Sequence, residues 1–203
     1  MARWEGNTRL RLEQAALELF TEQGYDRTTV AQIAKRANLT ERSFYRWFTD
    51  KREALFGGGE ELEERLVAAI GDVPEGTGPL ATLLTAFAAA SDVFRPRAFL
   101  RERAAVIAAN PPLQERELIK LTSLSRVLTE ALVERGHDPA TARTATDAGM
   151  AVFRLAGERW MADEQADYAE LVTAGAADLL AILAEAAPGP PGPPPPTRTR
   201  VLR

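Results

Sequence analysis

An all-α fold is what the sequence predicts, with a small three-helix unit at the N-terminus and a larger helical body behind it. Apolar residues recur at spacings of three and four almost everywhere before residue 187, and no stretch alternates with the two-residue period of a strand. Helix boundaries are legible as capping residues: Pro79 and Pro139 suit first helical positions, Asp138 and Asp163 suit N-caps, and Gly136 suits a C-cap. Cysteine is absent from the 203 residues, so neither disulfides nor thiolate metal sites hold the chain, and the fold rests on packing.

Taken in order, the first helix carries a stripe of Leu12, Ala16, Leu19 and Phe20, and Gly24 stands where a left-handed cap ends it. The second opens at "TTVAQ", where Thr29 and Gln32 have capping-box spacing, and buries Val30, Ile33, Ala34 and Ala37. "NLT" leaves room only for a tight turn, with Asn38 left-handed and Thr40 capping a short helix over 40–48. Asp50 and Glu53 repeat the box before a fourth helix running to about Ile70, interrupted by three glycines at 57–59. Body helices follow at approximately 79–94, 97–109, 112–135, 139–162 and 164–186. This divides the chain into a head at 1–52, a body at 53–187 and a Pro-rich tail at 188–203, which is expected to be extended and outside the fold.

The formal net charge of -4 hides an asymmetry. Between Arg27 and Arg52 seven Lys or Arg stand against Glu41 and Asp50, a balance of +5, whereas residues 57–203 balance at -6. A basic module is attached to an acidic body. On a wheel at 100° per residue, Phe44 and Phe48 of the short helix point together toward the first two helices. Arg42, Ser43 and Arg46 fall opposite, flanked by Tyr45 and Trp47. A helix, a three-residue turn and a short helix with a basic outer face is the arrangement of a helix-turn-helix. Arg pairs bidentately with guanine and Ser reads either base, while Lys51 and the amides of the following helix start would anchor phosphate. The same wheel also fits a helical hairpin with surface aromatics.

The stretch "FTEQGYDRTTVAQIAKRANLTERSFYRWFTDKREALF", residues 20–56, resembles the DNA-binding domain of TetR family transcriptional regulators. The matching elements are Phe20, Gly24-Tyr25, Thr28-Thr29-Val30, Ile33-Ala34, Ala37, Thr40, Phe44-Tyr45, Phe48 and Lys51. Asn38 and Trp47 depart from the pattern, where glycine and histidine or tyrosine are usual. The resemblance implies that Thr28, Thr29, Tyr45, Trp47 and Lys51 hold the DNA backbone, while Thr40, Glu41, Arg42, Ser43 and Arg46 lie at base edges. It implies a homodimer on a palindromic double-stranded operator, paired through the last two helices, where Gly149, Val152, Ala156, Leu171, Ala174, Gly175, Leu179 and Ile182 supply small and aliphatic surface. The same residues also suit the closing of a monomer core.

In the body, Met150, Phe153, Arg154, Gly157 and Met161 share one stripe, which places an arginine among apolar neighbours. Its anionic partner is either Glu158 or a ligand, and Arg103 beside Phe99, Leu100 and Ile107 raises the same question. "RERAAVIAANPPLQERELIK", with "RW" at 159–160, resembles the acyl-CoA-like ligand-binding domain of the mycofactocin-regulator group. That likeness implies a small apolar or acyl-CoA-like effector among Phe87, Phe94, Phe99, Ile107, Leu124, Met150 and Phe153, with Arg103 or Arg154 near its anionic head.

No catalytic constellation, metal cluster or phosphate loop is read; His137 lies in a turn, so an enzyme is not expected and no cofactor is called for. No signal peptide or apolar run of spanning length is read either, so the expected setting is cytoplasmic, without a membrane partner. The expected function is a ligand-released repressor. A helical DNA-binding protein without an effector is the alternative, with an enzyme behind it.

Overall fold

The computed structural model describes residues 2–186, with side chains from residue 8 onward; the tail at 188–203 lies outside them. Among the described residues the chain forms α1 (Ala2–Gln23), α2 (Val30–Arg36), α3 (Glu41–Tyr45), α4 (Gly59–Asp72), α5 (Pro79–Ala89), α6 (Arg97–Ala108), α7 (Pro111–Glu134), α8 (Pro139–Ala162) and α9 (Tyr168–Ala186). Short 3-10 turns stand at Glu53–Leu55 and Ser91–Val93, and no strand is present in that span.

Local chemistry explains the joints of the head. The Thr29 hydroxyl accepts from Gln32 N at 3.2 Å and Gln32 Oε1 accepts from Thr29 N at 2.9 Å, completing the capping box of α2. Asn38 takes φ 53°, a conformation that asparagine tolerates, and Leu39 N closes the turn on Ala34 O at 2.8 Å. Thr40 then caps α3 by accepting from Ser43 N at 3.1 Å.

Beyond the head, three boundaries differ from expectation. Asp50 accepts from Arg52 N and Glu53 N, but the turn it caps stops at Leu55, and α4 begins only after Gly58 at φ 83°. A Cβ on Gly57 would sit 1.9 Å from Glu13 Oε1, so the chain crosses a buried carboxylate there without a side chain. α5 ends at Ala89, five residues before the expected end, and passes into the 3-10 turn. Asp163 ends α8, while Asp167 accepts from Glu170 N at 3.0 Å at the start of α9.

Two buried clusters organise the described residues. In the first, Leu12, Ala16, Phe20, Ile33, Phe44 and Phe48 of the head meet Leu55, Phe56, Val106, Ile107 and Leu113, so the end of α6 and the start of α7 seal the base of the head. The second joins α4, α5, α7, α8 and α9 around Leu66, Leu83, Phe87, Leu128, Leu132, Val152, Ala156 and Val172. Gly149 lets α8 approach Leu83 and Phe87, where a Cβ would meet both at 3.3 Å.

Arginines from distant elements satisfy the carbonyls at helix ends. Arg135 donates to Gly71 O at 3.0 Å and Val73 O at 2.7 Å, closing α4, and Arg65 donates to Ala89 O at 2.7 Å, closing α5. Arg101 reaches Met161 O at 2.9 Å and Arg97 reaches Ala166 O at 2.6 Å, tying α6 to the α8–α9 connection. Neither α4 nor α5 has a basic residue in its own last turn, so these long-range cations answer the negative helix ends. No helix among the described residues is long and apolar enough to cross a membrane.

Candidate nucleic-acid interface and effector region

Phe44 is 0% exposed and Phe48 5%, and their ring centroids lie 5.3 Å apart beneath α3. α3 itself is shorter than the sequence suggests, but Phe48 N still donates to Phe44 O at 2.9 Å, which carries the helical register through residue 48. Thr40, Glu41, Arg42, Tyr45 and Arg46 are exposed on the other side, with Ser43 and Trp47 half-buried at its edges. Ser43 Oγ stands 2.9 Å from Thr40 Oγ1, so the two hydroxyls share one hydrogen bond at the cap. The Arg46 guanidinium lies 5.5 Å from the centre of the Trp47 ring. Phenylalanine anchors below and arginine, phenol and hydroxyl groups above thus form one outward face.

The residues flanking that face are divided. Thr29 is exposed, whereas Thr28 is 1% exposed and its Oγ1 donates to Gly24 O at 2.8 Å. Lys51 turns into the chain, donating to Tyr25 O at 2.6 Å and Thr28 O at 2.9 Å. Burial pushes its pKa down from the usual lysine value. The amides of Arg52 and Glu53 are taken by Asp50, so that helix start is already capped.

In the body the expected effector residues do not form one lining. Phe99 and Ile107 pack with the first cluster, while Phe87, Phe94, Leu124, Met150 and Phe153 belong to the second. Arg103 has protein partners: it donates to Leu55 O at 2.6 Å, pairs with Glu117 at 3.2 Å and lies 4.9 Å over the Phe56 ring. Arg154 is exposed, which corrects its expected place among apolar neighbours. It stands two residues, roughly 200°, from both Val152 and Ala156, the buried line of α8, and therefore faces away from the core. Of the expected dimer residues, Gly149, Val152, Ala156 and Gly175 are buried within the monomer, Leu171 and Leu179 are half-buried, and Ala174 and Ile182 are exposed.

An aromatic cluster goes beyond the expected set. Phe94, Trp160 and Tyr168 meet edge to face, with centroids 4.8 Å apart for Phe94 and Tyr168 and 5.5 Å for Phe94 and Trp160. Arg97 lies 4.2 Å over Trp160. Two grooves flank the head: one of about 660 Å³ between α1, the end of α2 and the start of α6, and one of about 340 Å³ between the end of α3, the start of α4 and α7. Among the described residues no group of three or more His, Asp or Glu side chains has metal-holding geometry.

Two family models match this chain. Residues 13–56 match the bacterial regulatory proteins of the tetR family, and residues 77–184, more than half of the sequence, match the MftR C-terminal domain. The chain belongs to the TetR family. Within it, the chain is 40% identical over 82 residues to the HTH-type transcriptional regulator TcmR of Streptomyces glaucescens, a match covering 40% of this chain and 36% of that protein. It is 48% identical over 42 residues to HbdR of Aromatoleum, covering 21% and 18%. The TetR fold recurs in SmeT of Stenotrophomonas maltophilia, solved with triclosan, at TM-score 0.56 and 20% identity over 93% of this chain and 99% of that one. It recurs also in Thermus thermophilus FadR, solved with lauroyl-CoA, at TM-score 0.51 and 24% identity over 91% and 100%.

Proposed function

We propose that the protein is a sequence-specific DNA-binding transcriptional regulator, a homodimeric repressor that leaves a palindromic operator when an apolar or acyl-CoA-like effector binds. The observation that carries this reading is the orientation of α3, with Phe44 and Phe48 buried and Arg42, Tyr45 and Arg46 turned outward. Residues 1–52 act as the DNA-binding head and 53–187 as the effector and dimerisation body. Arg42 has no side-chain partner among the described residues, which suits it to guanine, and Arg46, Thr40, Glu41 and Ser43 stand at the same face. Thr29, Tyr45 and Trp47 flank it on the phosphate side.

Pairing is supported by large apolar side chains left exposed on α8 and α9, namely Leu155, Leu180, Ile182 and Leu183. A surface of that kind is what an obligate dimer covers. The repressors crystallised with lauroyl-CoA and triclosan support an apolar effector, and the aromatic groups Phe87, Phe94, Phe153, Trp160 and Tyr168 supply walls for one. A bacterial DNA-binding protein works in the cytoplasm.

One observation favours a regulator without an effector: Leu83 and Phe87 are 0% exposed and close against Gly149, which leaves α5 and α8 in contact. Mass spectrometry of small molecules carried through purification, paired with a gel shift on the DNA flanking the protein's own gene, separates the two. A bound acyl compound that releases the shifted DNA supports the sensor. A shift insensitive to every bound or added acyl compound supports the regulator without one, and no shift on any duplex removes both.

A further inference from the structure

Lys51 lies just beyond the recognition segment, and the family resemblance assigns it to the DNA backbone. Its ammonium has three donors. They meet the carbonyls of Tyr25 at 2.6 Å, Thr28 at 2.9 Å and Asp26 at 3.4 Å, and Nζ stands 4.1 Å from the centre of the Tyr25 ring. Residues 25–28 lie within the connection between α1 and α2. Thr28 pins the same stretch from within: its hydroxyl donates to Gly24 O at 2.8 Å and accepts from Gln23 Nε2 at 3.1 Å. The Tyr25 ring in turn packs on Phe20 at 5.2 Å. One side chain at the exit of α3 therefore grips the entry to α2.

We propose that Lys51 is a positioning residue, which locks the α1–α2 connection and thereby the placement of α2 and α3, and does not itself neutralise a phosphate. The proposal rests on the reading of the head as a DNA-binding unit. A phosphate anchor and a lock differ in their response to salt. Each cation that neutralises a phosphate contributes about 0.9 to the slope of log affinity against log salt, whereas a cation committed to carbonyls contributes nothing. They differ also in the free protein, because only a lock protects the connection when DNA is absent.

The test is Lys51→Met in the full chain, which keeps most of the stem and removes the ammonium. Amide hydrogen exchange is followed at residues 25–32 of the free protein, with α8 and α9 as the folded reference, and binding to random duplex DNA is titrated across salt. Exchange at 25–32 should accelerate at least tenfold while α8 and α9 hold, and affinity should fall with the salt slope of the wild type. Unchanged exchange overturns the proposal, and so does a slope shallower by about 0.9 per head. Lys51→Gln, which also removes the cation, takes over if the first variant does not fold: wild-type exchange at 25–32 contradicts the lock, and faster exchange there with α8 and α9 unchanged supports it. If the wild type binds no duplex, the DNA reading fails and the exchange measurement alone decides on Lys51.

Discussion

Glu13 of α1, 1% exposed, accepts a 3.1 Å hydrogen bond from Nε of Arg95, which stands between α5 and α6. Arg9 holds the same carboxylate at 3.1 Å, and Arg95 also pairs with Glu61 of α4 at 3.0 Å. Head and body are joined here by charge as well as by the apolar cluster beneath it.

Removing one member of a buried pair strands the other, at a cost of about 3–5 kcal/mol when no substitute exists. Arg9 remains as a partner for Glu13, so Arg95→Met should lose about 1–3 kcal/mol in urea unfolding. Glu13→Gln together with Arg95→Met should cost less than the sum of the single changes. Strict additivity in that double-mutant cycle would mean the two groups do not couple.

The neighbouring glycines give a sharper contrast. A Cβ on Gly57 meets the Glu13 carboxylate at 1.9 Å, whereas one on Gly59 meets nothing within 4 Å. Gly57→Ala should destabilise by about 2 kcal/mol or more, and Gly59→Ala should be neutral or stabilise by up to about 1 kcal/mol through helix propensity. Thermal unfolding of the two variants side by side checks both; equal effects would show that Glu13 does not require the gap.

Arg42→Ala should weaken specific operator binding by about 1–3 kcal/mol and relax sequence preference, with little change on random duplex. Anisotropy titrations on both DNAs measure it. Equal losses on the two would assign Arg42 to the backbone.

Stability should also respond to acid in a defined direction. Burial pushes the Glu53 carboxyl up, but hydrogen bonds from Arg116 and Lys120 outweigh this and hold it below the ordinary 4.5. The hydrogen bond from Arg52 holds Asp50 below 3.8. Carboxyls whose pKa is lower in the folded than in the unfolded chain contribute fully above the unfolded value and lose that contribution as pH falls through the folded one. Urea midpoints should therefore hold from neutrality to about pH 5 and decline below about pH 4. Glu53→Gln should be less stable at neutrality and decline less steeply; an unaltered acid limb would contradict the pairing.

Much of the fold was legible because its signals are local. The Thr29 and Gln32 box, the left-handed Asn38, the Thr40 and Asp138 caps and the prolines at the starts of α5 and α8 depend on neighbours within four residues. The outward face of α3 was legible too, since Phe44 and Phe48 needed only the helical period to place them. What escaped was set by distance along the chain. Arg103 finds Leu55 O forty-eight residues away and Arg135 finds Gly71 O sixty-four away, so no spacing rule assigns their partners. Arg154 escapes a stripe drawn from Met150 because Met150 is buried only at the edge of the core face of α8: that face is centred on Ala142, Gly149 and Ala156, and Arg154, one turn past Met150, lies just beyond it. The close approach that Gly57 permits, to a carboxylate on α1, lies forty-four positions earlier and in no motif.

Selection of bound sequences from a random duplex pool tests the central claim most directly, because it presupposes no operator. Two α3 helices presented by a two-fold dimer should enrich an inverted repeat with half-sites about one helical turn, roughly 35 Å, apart or slightly more, and Arg42→Ala should erase the preference at one symmetric pair of positions. No enrichment, or an asymmetric motif indifferent to Arg42, would contradict it.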